Sequence, residues 1–285
     1  MSAEERRRII LLIDADNAQA SKIDVVLEDL ANEGEARTRR AYGDWDDTHL
    51  KHWKDVLHER AIRPIQQYAL TKGKNASDIA LVVDAMDLLH RDRPDAFGLM
   101  SSDADFTPLV MHLRERGADV FGYGDSKSPA PFVNACTRFL HLDKVNASAH
   151  EPDESVASTT GTPPDRVPTQ KLRGDAGLVK LLRDAVSGSA DDSGWARAST
   201  VGQRIRNQSS MDPRNYGYAR LTDLIRATEL FETKDDATSS MAFRDVRSSR
   251  GESPAAKKAV KKAATKRPPV KKAGATAPEK QSGSA

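Results

Sequence analysis

The 285-residue chain has a single cysteine, Cys136, only 5% aromatic residues, and no clean apolar run longer than five residues. One thiol excludes an internal disulfide and any zinc site that needs several thiolates, and its simplest role is that of a small buried apolar side chain. The longest apolar runs, residues 9–13 and 79–83, fall far short of the roughly 20 residues of a membrane helix. No membrane partner is expected. Arg6, Arg7 and Arg8 precede the first run, but Asp14 and Asp16 end it too early for a secretory signal, so a cytoplasmic protein is expected. At 38% hydrophobic residues the chain can build one or two cores, yet not enough to order its whole length.

The net charge of +2 hides an asymmetry: residues 250–285 hold ten Lys or Arg against two Glu, a net of +8, which leaves −6 for the rest. This end of the chain, with Lys257, Lys258, Lys261, Lys262, Lys266 and Arg267 among Ala and Pro, has no aromatic residue. Residues 237–285 are therefore expected to be a disordered basic tail, which serves solubility or binds polyanions such as DNA by counterion release. Residues 146–170, with Pro152, Pro163, Pro164 and Pro168 among Ser, Thr and acidic residues, have the composition of a linker. No internal repeat is present.

Residues 1–145 alternate between strand-like and helix-like segments. Strands are expected at 9–13, 38–42, 63–67, 96–100, 119–122 and 139–142, and helices at 23–30, 49–60 and 106–116, the last closed by Gly117. A further helix carries Ile79, Val82, Val83, Met86 and Leu89 as one apolar stripe. Such alternation implies parallel βαβ crossovers and a three-layer α/β sandwich, whose ligands collect at the carboxyl ends of the strands. Residues 171–236, with short helical patterns and a terminal strand, suggest a small winged-helix-like α+β domain.

Acidic residues mark that carboxyl edge. Asp14 and Asp16 end the first strand, Asp103 and Asp105 follow the strand at 96–100, and Asp78 stands at the start of the stripe helix. An Asp after a strand is also an ordinary turn former or helix cap. Carboxylates from separate segments repel one another, however, and gather where a cation neutralises them; hard oxygen donors suit Mg²⁺ or Mn²⁺. Asp84, Asp87, Asp44, Asp46 and Asp47 are expected to serve solvation, polar contacts or loop turns.

Three stretches carry a family resemblance: residues 12–17 (Leu-Ile-Asp-Ala-Asp-Asn), 73–87 from Gly73 to Asp87, and 101–106 (Ser-Ser-Asp-Ala-Asp-Phe), supported by 120–124 (Val-Phe-Gly-Tyr-Gly). With them residues 9–143 resemble a bacterial NYN domain, a branch of the PIN-like metal-dependent nucleases. The resemblance implies a PIN-like sandwich and ribonuclease activity, with Asp14, Asn17, Asp78, Asp103 and Asp105 as catalytic residues and Asp14, Asp78, Asp103 and Asp105 as metal ligands. Lys72 and Lys74, just before Asp78, would hold the phosphodiester or stand as solvated loop lysines. Gly194-Trp195, Ser199 to Ile205 and Met211 to Leu221 resemble an OST-HTH (LOTUS) domain, which implies RNA as partner. Arg214, Tyr216, Tyr218 and Arg220 combine cations for phosphate with rings for stacking, although Trp195 and Tyr216 would equally fill a small core. A homo-oligomer is compatible with this reading. Two alternatives remain open at this point: a non-catalytic RNA or DNA adaptor, and a haloacid-dehalogenase-like phosphatase with Asp14 as nucleophile.

Overall fold

A computed structural model of the chain describes residues 6–68, 75–145, 166–234 and 241–249. The continuous apolar run near the amino terminus becomes β1 (Arg8–Asp14), whose Ile9, Leu11 and Ile13 face one side of a sheet and Ile10 and Leu12 the other, all almost fully buried. A parallel strand covered on both faces reads as unbroken hydrophobicity because neither face can be polar. There follow α1 (Ile23–Glu33), β2 (Glu35–Gly43), α2 (Trp53–Glu59), β3 (Arg63–Gln66), α3 (Ala76–Asp92), β4 (Ala96–Met100), α4 (Thr107–Glu115), β5 (Asp119–Gly124), α5 (Ala130–Ala135) and β6 (Arg138–His141). Their six strands form one parallel sheet in the order β3-β2-β1-β4-β5-β6. Ile23, Val26 and Leu30 of α1 and Trp53 and Leu57 of α2 pack on one face, while α3, α4 and α5 cover the other. The strand order reverses between β1 and β4, and in open α/β sheets the crevice at such a reversal, outside the carboxyl ends, is where ligands bind.

The expected helix at 49–60 is split into a 3-10 turn, Thr48–His52, and α2. The stripe expected on α3 is corrected more substantially. Its buried face is Leu81, Ala85, Leu88 and, from the expected stripe, Leu89, whereas Ile79 and Val83 are 65% and 64% exposed. Apolar residues lie all round this helix, so hydrophobicity leaves its rotation open, and polar partners fix it. Asp84 accepts hydrogen bonds from Arg40 and the Tyr42 hydroxyl on β2, and Asp78 turns towards the carboxyl edge of the sheet.

The second module contains α6 (Thr169–Gly174), α7 (Ala176–Ser187), β7 (Ala196–Arg197), α8 (Ala198–Gln208), α9 (Leu221–Thr228), β8 (Phe231–Lys234) and β9 (Ala242–Asp245). Its strands pair antiparallel in the order β7-β9-β8 over a core that includes Leu172, Leu182, Val201, Ile205, Leu224 and Phe243. The module is longer at both ends than its composition suggested. Val167 N–H donates to the Tyr216 carbonyl ahead of α6. Beyond residue 236, Phe243 is wholly buried in β9, the central strand, which satisfies hydrogen bonds on both its sides. Residues 146–165 and 250–285, with most of the expected linker and tail, lie outside the described residues. Among the described residues no helix is long and apolar enough to cross a membrane.

Candidate metal centre

Asp14 is the last residue of β1 and only 1% exposed, so its carboxylate reaches the crevice from within the sheet. Its Oδ2 accepts from the Ser101 hydroxyl (2.7 Å) and from Asn17 Nδ2 (2.9 Å), two donors from opposite sides of the β1–β4 reversal. Its Oδ1 is buried without a hydrogen-bond partner among the described residues. Leaving a buried carboxylate oxygen unpaired costs on the order of 1 to 3 kcal/mol or more, and such atoms mark places where something is bound. Burial pushes the Asp14 carboxyl above its ordinary range, and the two hydrogen bonds only partly oppose that.

The other acids close around it. Asp78 sits in the first turn of α3, and its carboxyl is pushed up to about 6, first by burial and then by the charges of Asp14, Asp103, Asp16 and Asp105. All five carboxylates thus share one electrostatic site. Asp103 accepts from Asp105 N–H (2.9 Å) and caps the short 3-10 helix Ala104–Phe106, so the turn-forming role of an Asp after a strand and membership of the cluster coexist in one residue. Asp105 takes a 3.4 Å contact from Asn75 Nδ2, and Asp16 accepts from the Ser77 hydroxyl at 2.7 Å, tying the start of α3 to both acidic loops. Ser77 and Ser101 were not among the expected site residues. Both stand beside acids already singled out, in Ser77-Asp78 and Ser101-Ser102-Asp103, and that adjacency was the available signal.

Among the described residues no three His, Cys, Asp or Glu side chains converge closely enough to form a finished metal ligand set. The chemistry of the donors fits a hard dication all the same: the set is all oxygen, one buried oxygen is unpaired, and burial together with the neighbouring negative charges raises the Asp78 carboxyl.

The raised Asp78 carboxyl predicts a pH-dependent cost in metal-free protein. Unfolded, the Asp78 carboxyl titrates near 3.8; folded, near 6. The folded chain binds the extra proton between these values, so stability falls as pH rises through that window and the full deficit persists above it. The gap is worth at most about 3 kcal/mol at 1.36 kcal/mol per pH unit, and partial exposure reduces that to about 1 to 2 kcal/mol. Asp78→Asn is therefore expected to melt a few degrees higher than the parent chain at pH 7.5 in chelator. The advantage should vanish below pH 4, and equal melting temperatures at pH 7.5 count against a raised Asp78 carboxyl.

The residues expected to contact RNA fare differently. Lys72 and Lys74 lie outside the described residues. Arg214 is drawn into a buried ion-pair network rather than towards solvent: its Nη1 meets Asp29 on α1 (2.7 Å) and its Nη2 meets Asp212 (2.7 Å). Arg138 on β6 crosses it, pairing with the same Asp29 (2.8 Å) and Asp212 (3.0 Å). The open edge of β6 is covered by the second module: Phe139 N–H donates to the Ser210 carbonyl (3.0 Å), His141 N–H donates to Asn215 Oδ1 (2.9 Å), and Asn215 Nδ2 donates to the Phe139 carbonyl (3.0 Å). Asn215 thus stands in for a further strand, which removes an edge that is otherwise prone to association. Tyr218 is buried and its hydroxyl donates to the Val167 carbonyl; Tyr216 is half-buried, donates to Asp175, and is pushed up to about 12 by burial and that carboxylate. Trp195 lies beneath the Arg244 guanidinium. Arg220 alone of the four stays exposed.

Comparisons with known proteins agree with this division. Residues 8–143 match the NYN domain and residues 173–241 the OST-HTH/LOTUS domain. A crystal structure of a protein of unknown function from Vibrio parahaemolyticus is 18% identical, with a TM-score of 0.43, covering 50% of this chain and 97% of its own. A solution structure of an uncharacterised protein from Nitrosomonas europaea is 26% identical, with a TM-score of 0.22, covering 35% of this chain and 90% of its own. No curated protein matches the chain. The chain thus carries an NYN domain, of a PIN-like nuclease family, followed by an OST-HTH/LOTUS domain, a type that binds RNA.

Proposed function

We propose that the protein is a divalent-metal-dependent ribonuclease that hydrolyses phosphodiester bonds at the carboxyl edge of its parallel sheet. The observation that carries this reading is the unpaired, buried Oδ1 of Asp14, in a cluster where burial and the charges of Asp14, Asp103, Asp16 and Asp105 push the Asp78 carboxyl up to about 6. Asp14, Asp78, Asp103 and Asp105 hold Mg²⁺ or Mn²⁺. The bound ion supplies positive charge against the scissile phosphate and makes water more acidic. Asn17 and Ser101 fix the Asp14 carboxylate by occupying its other oxygen, which leaves Oδ1 free to meet an ion. Ser77 and Asn75 hold the two flanking acidic loops against α3. The second module delivers RNA to this edge.

Full-length protein incubated with end-labelled, unstructured RNA is expected to release shorter products with Mn²⁺ or Mg²⁺ and none with chelator. A chain that binds RNA yet yields no product with either ion is an adaptor, and the nuclease reading then fails.

A further inference from the structure

We propose that the exposed face of α8 is the surface on which the second module holds an unpaired RNA strand; this rests on the RNA-binding part of the reading above. The sequence of α8, Ala-Ser-Thr-Val-Gly-Gln-Arg-Ile-Arg-Asn-Gln, contains two arginines and no acid. Val201, Gly202 and Ile205 are its buried positions. The opposite face carries Ser199, Thr200, Gln203, Arg206 and Asn207, all exposed. At about 100° per residue these five side chains fall within an arc of about 120°, and every one ends in a hydrogen-bonding group.

Several arginines of the module are already engaged. Arg214 pairs with Asp212 and Asp29, Arg173 with Glu229, Arg183 with Asp245, and Arg244 with Glu232, while Arg204 donates to the Gly188 carbonyl. Arg206 and Arg220 have no ion pair or hydrogen bond among the described residues, and neither do the Gln203 and Asn207 amides. Gly202 brings α8 against Leu221, the first residue of α9, with Arg206 beside it. Arg220 is the residue just before Leu221, so these two guanidiniums flank the same helix contact.

This face has a division of labour that suits nucleic acid. Arg206 and Arg220 provide sequence-blind phosphate contacts, and Gln203 and Asn207 are amides that pair with base edges. An unpaired strand is the form that fits, because the major groove of duplex RNA is too deep and narrow for a helix to read, whereas unstacked bases present their edges freely.

Two paired variants of the full chain, measured in chelator so that no cleavage intervenes, separate the two roles. For a fluorescent unstructured RNA oligomer, Arg206→Ala/Arg220→Ala is expected to weaken binding about tenfold at 150 mM salt and to make the plot of log affinity against log salt shallower by about 1.4, or 0.7 per lost contact. The basic end of the chain contributes equally to parent and variant. Gln203→Ala/Asn207→Ala should leave the salt slope unchanged but level the affinities for oligo(A), oligo(C) and oligo(U). All four positions are exposed, so unchanged melting temperatures are expected. Unaltered affinity and slope in the arginine pair, unaltered base discrimination in the amide pair, or tighter binding of duplex than of unpaired RNA each overturns the assignment while leaving RNA binding itself intact. A parent chain that binds no RNA overturns the underlying reading as well.

Discussion

Asp14→Asn is expected to lower metal-dependent RNA cleavage by roughly 10³-fold, which at 1.36 kcal/mol per decade is about 4 kcal/mol of transition-state stabilisation. The asparagine has the same shape, and its amide oxygen can still accept from Ser101 and Asn17, so the end of β1 keeps its place between β2 and β4. Only the negative charge and the free oxygen at Oδ1 are lost. Stability in chelator should hold or rise, because a buried, unpaired carboxylate has been neutralised. Asp87→Asn is the matched control. Asp87 lies on the outer surface of α3, paired with Arg91 four residues on, and its loss should leave cleavage unchanged. Cleavage by Asp14→Asn at the parental rate rejects the proposed centre, whatever the control does.

The sheet was legible in the sequence because a parallel strand buried on both faces has one cheap signature, and residues 9–13 and 96–100 carry it. The acid cluster was legible for a related reason: in this topology, the residues just after β1 and β4 must meet at the strand reversal. The rotation of α3 was not, since apolar residues at Ile79, Val82 and Val83 compete with those at Leu81, Ala85 and Leu88, and the deciding partners, Arg40 and Tyr42, are some forty residues away. Nor was the use of Arg214 and Tyr218. A guanidinium and a phenol suited to RNA are equally suited to a buried salt bridge and a carbonyl, and local sequence does not distinguish the two. Asp29 offered one hint. It is a charged residue among Ile23, Val26 and Leu30 on the buried side of α1, and a charge placed there requires a partner.

That partner set underlies the other large expected effect. Arg138→Met should destabilise the protein by about 3 to 5 kcal/mol, the usual result of removing one member of a buried ion pair, because it takes a guanidinium from Asp29 and Asp212 together. Both carboxylates are nearly inaccessible, 4% and 2% exposed. Burial alone raises such carboxyls, but Arg138 and Arg214 hold both below their ordinary range. A depressed folded value means that their stabilisation is complete above about pH 4, where the unfolded carboxyl is ionised, and is lost as pH falls through the lower folded values. The parent chain should therefore lose stability steeply below pH 4, and Arg138→Met should show a shallower acid limb from a lower plateau. Since Arg138 belongs to the sheet and Asp212 to the second module, calorimetry of the variant should resolve two transitions where the parent gives one. A cycle with Asp212→Asn tests the link directly: the two substitutions should couple by at least about 1 kcal/mol. Strict additivity, or a single transition at the parental temperature, means that the Arg138–Asp212 pair contributes nothing to holding the module against β6.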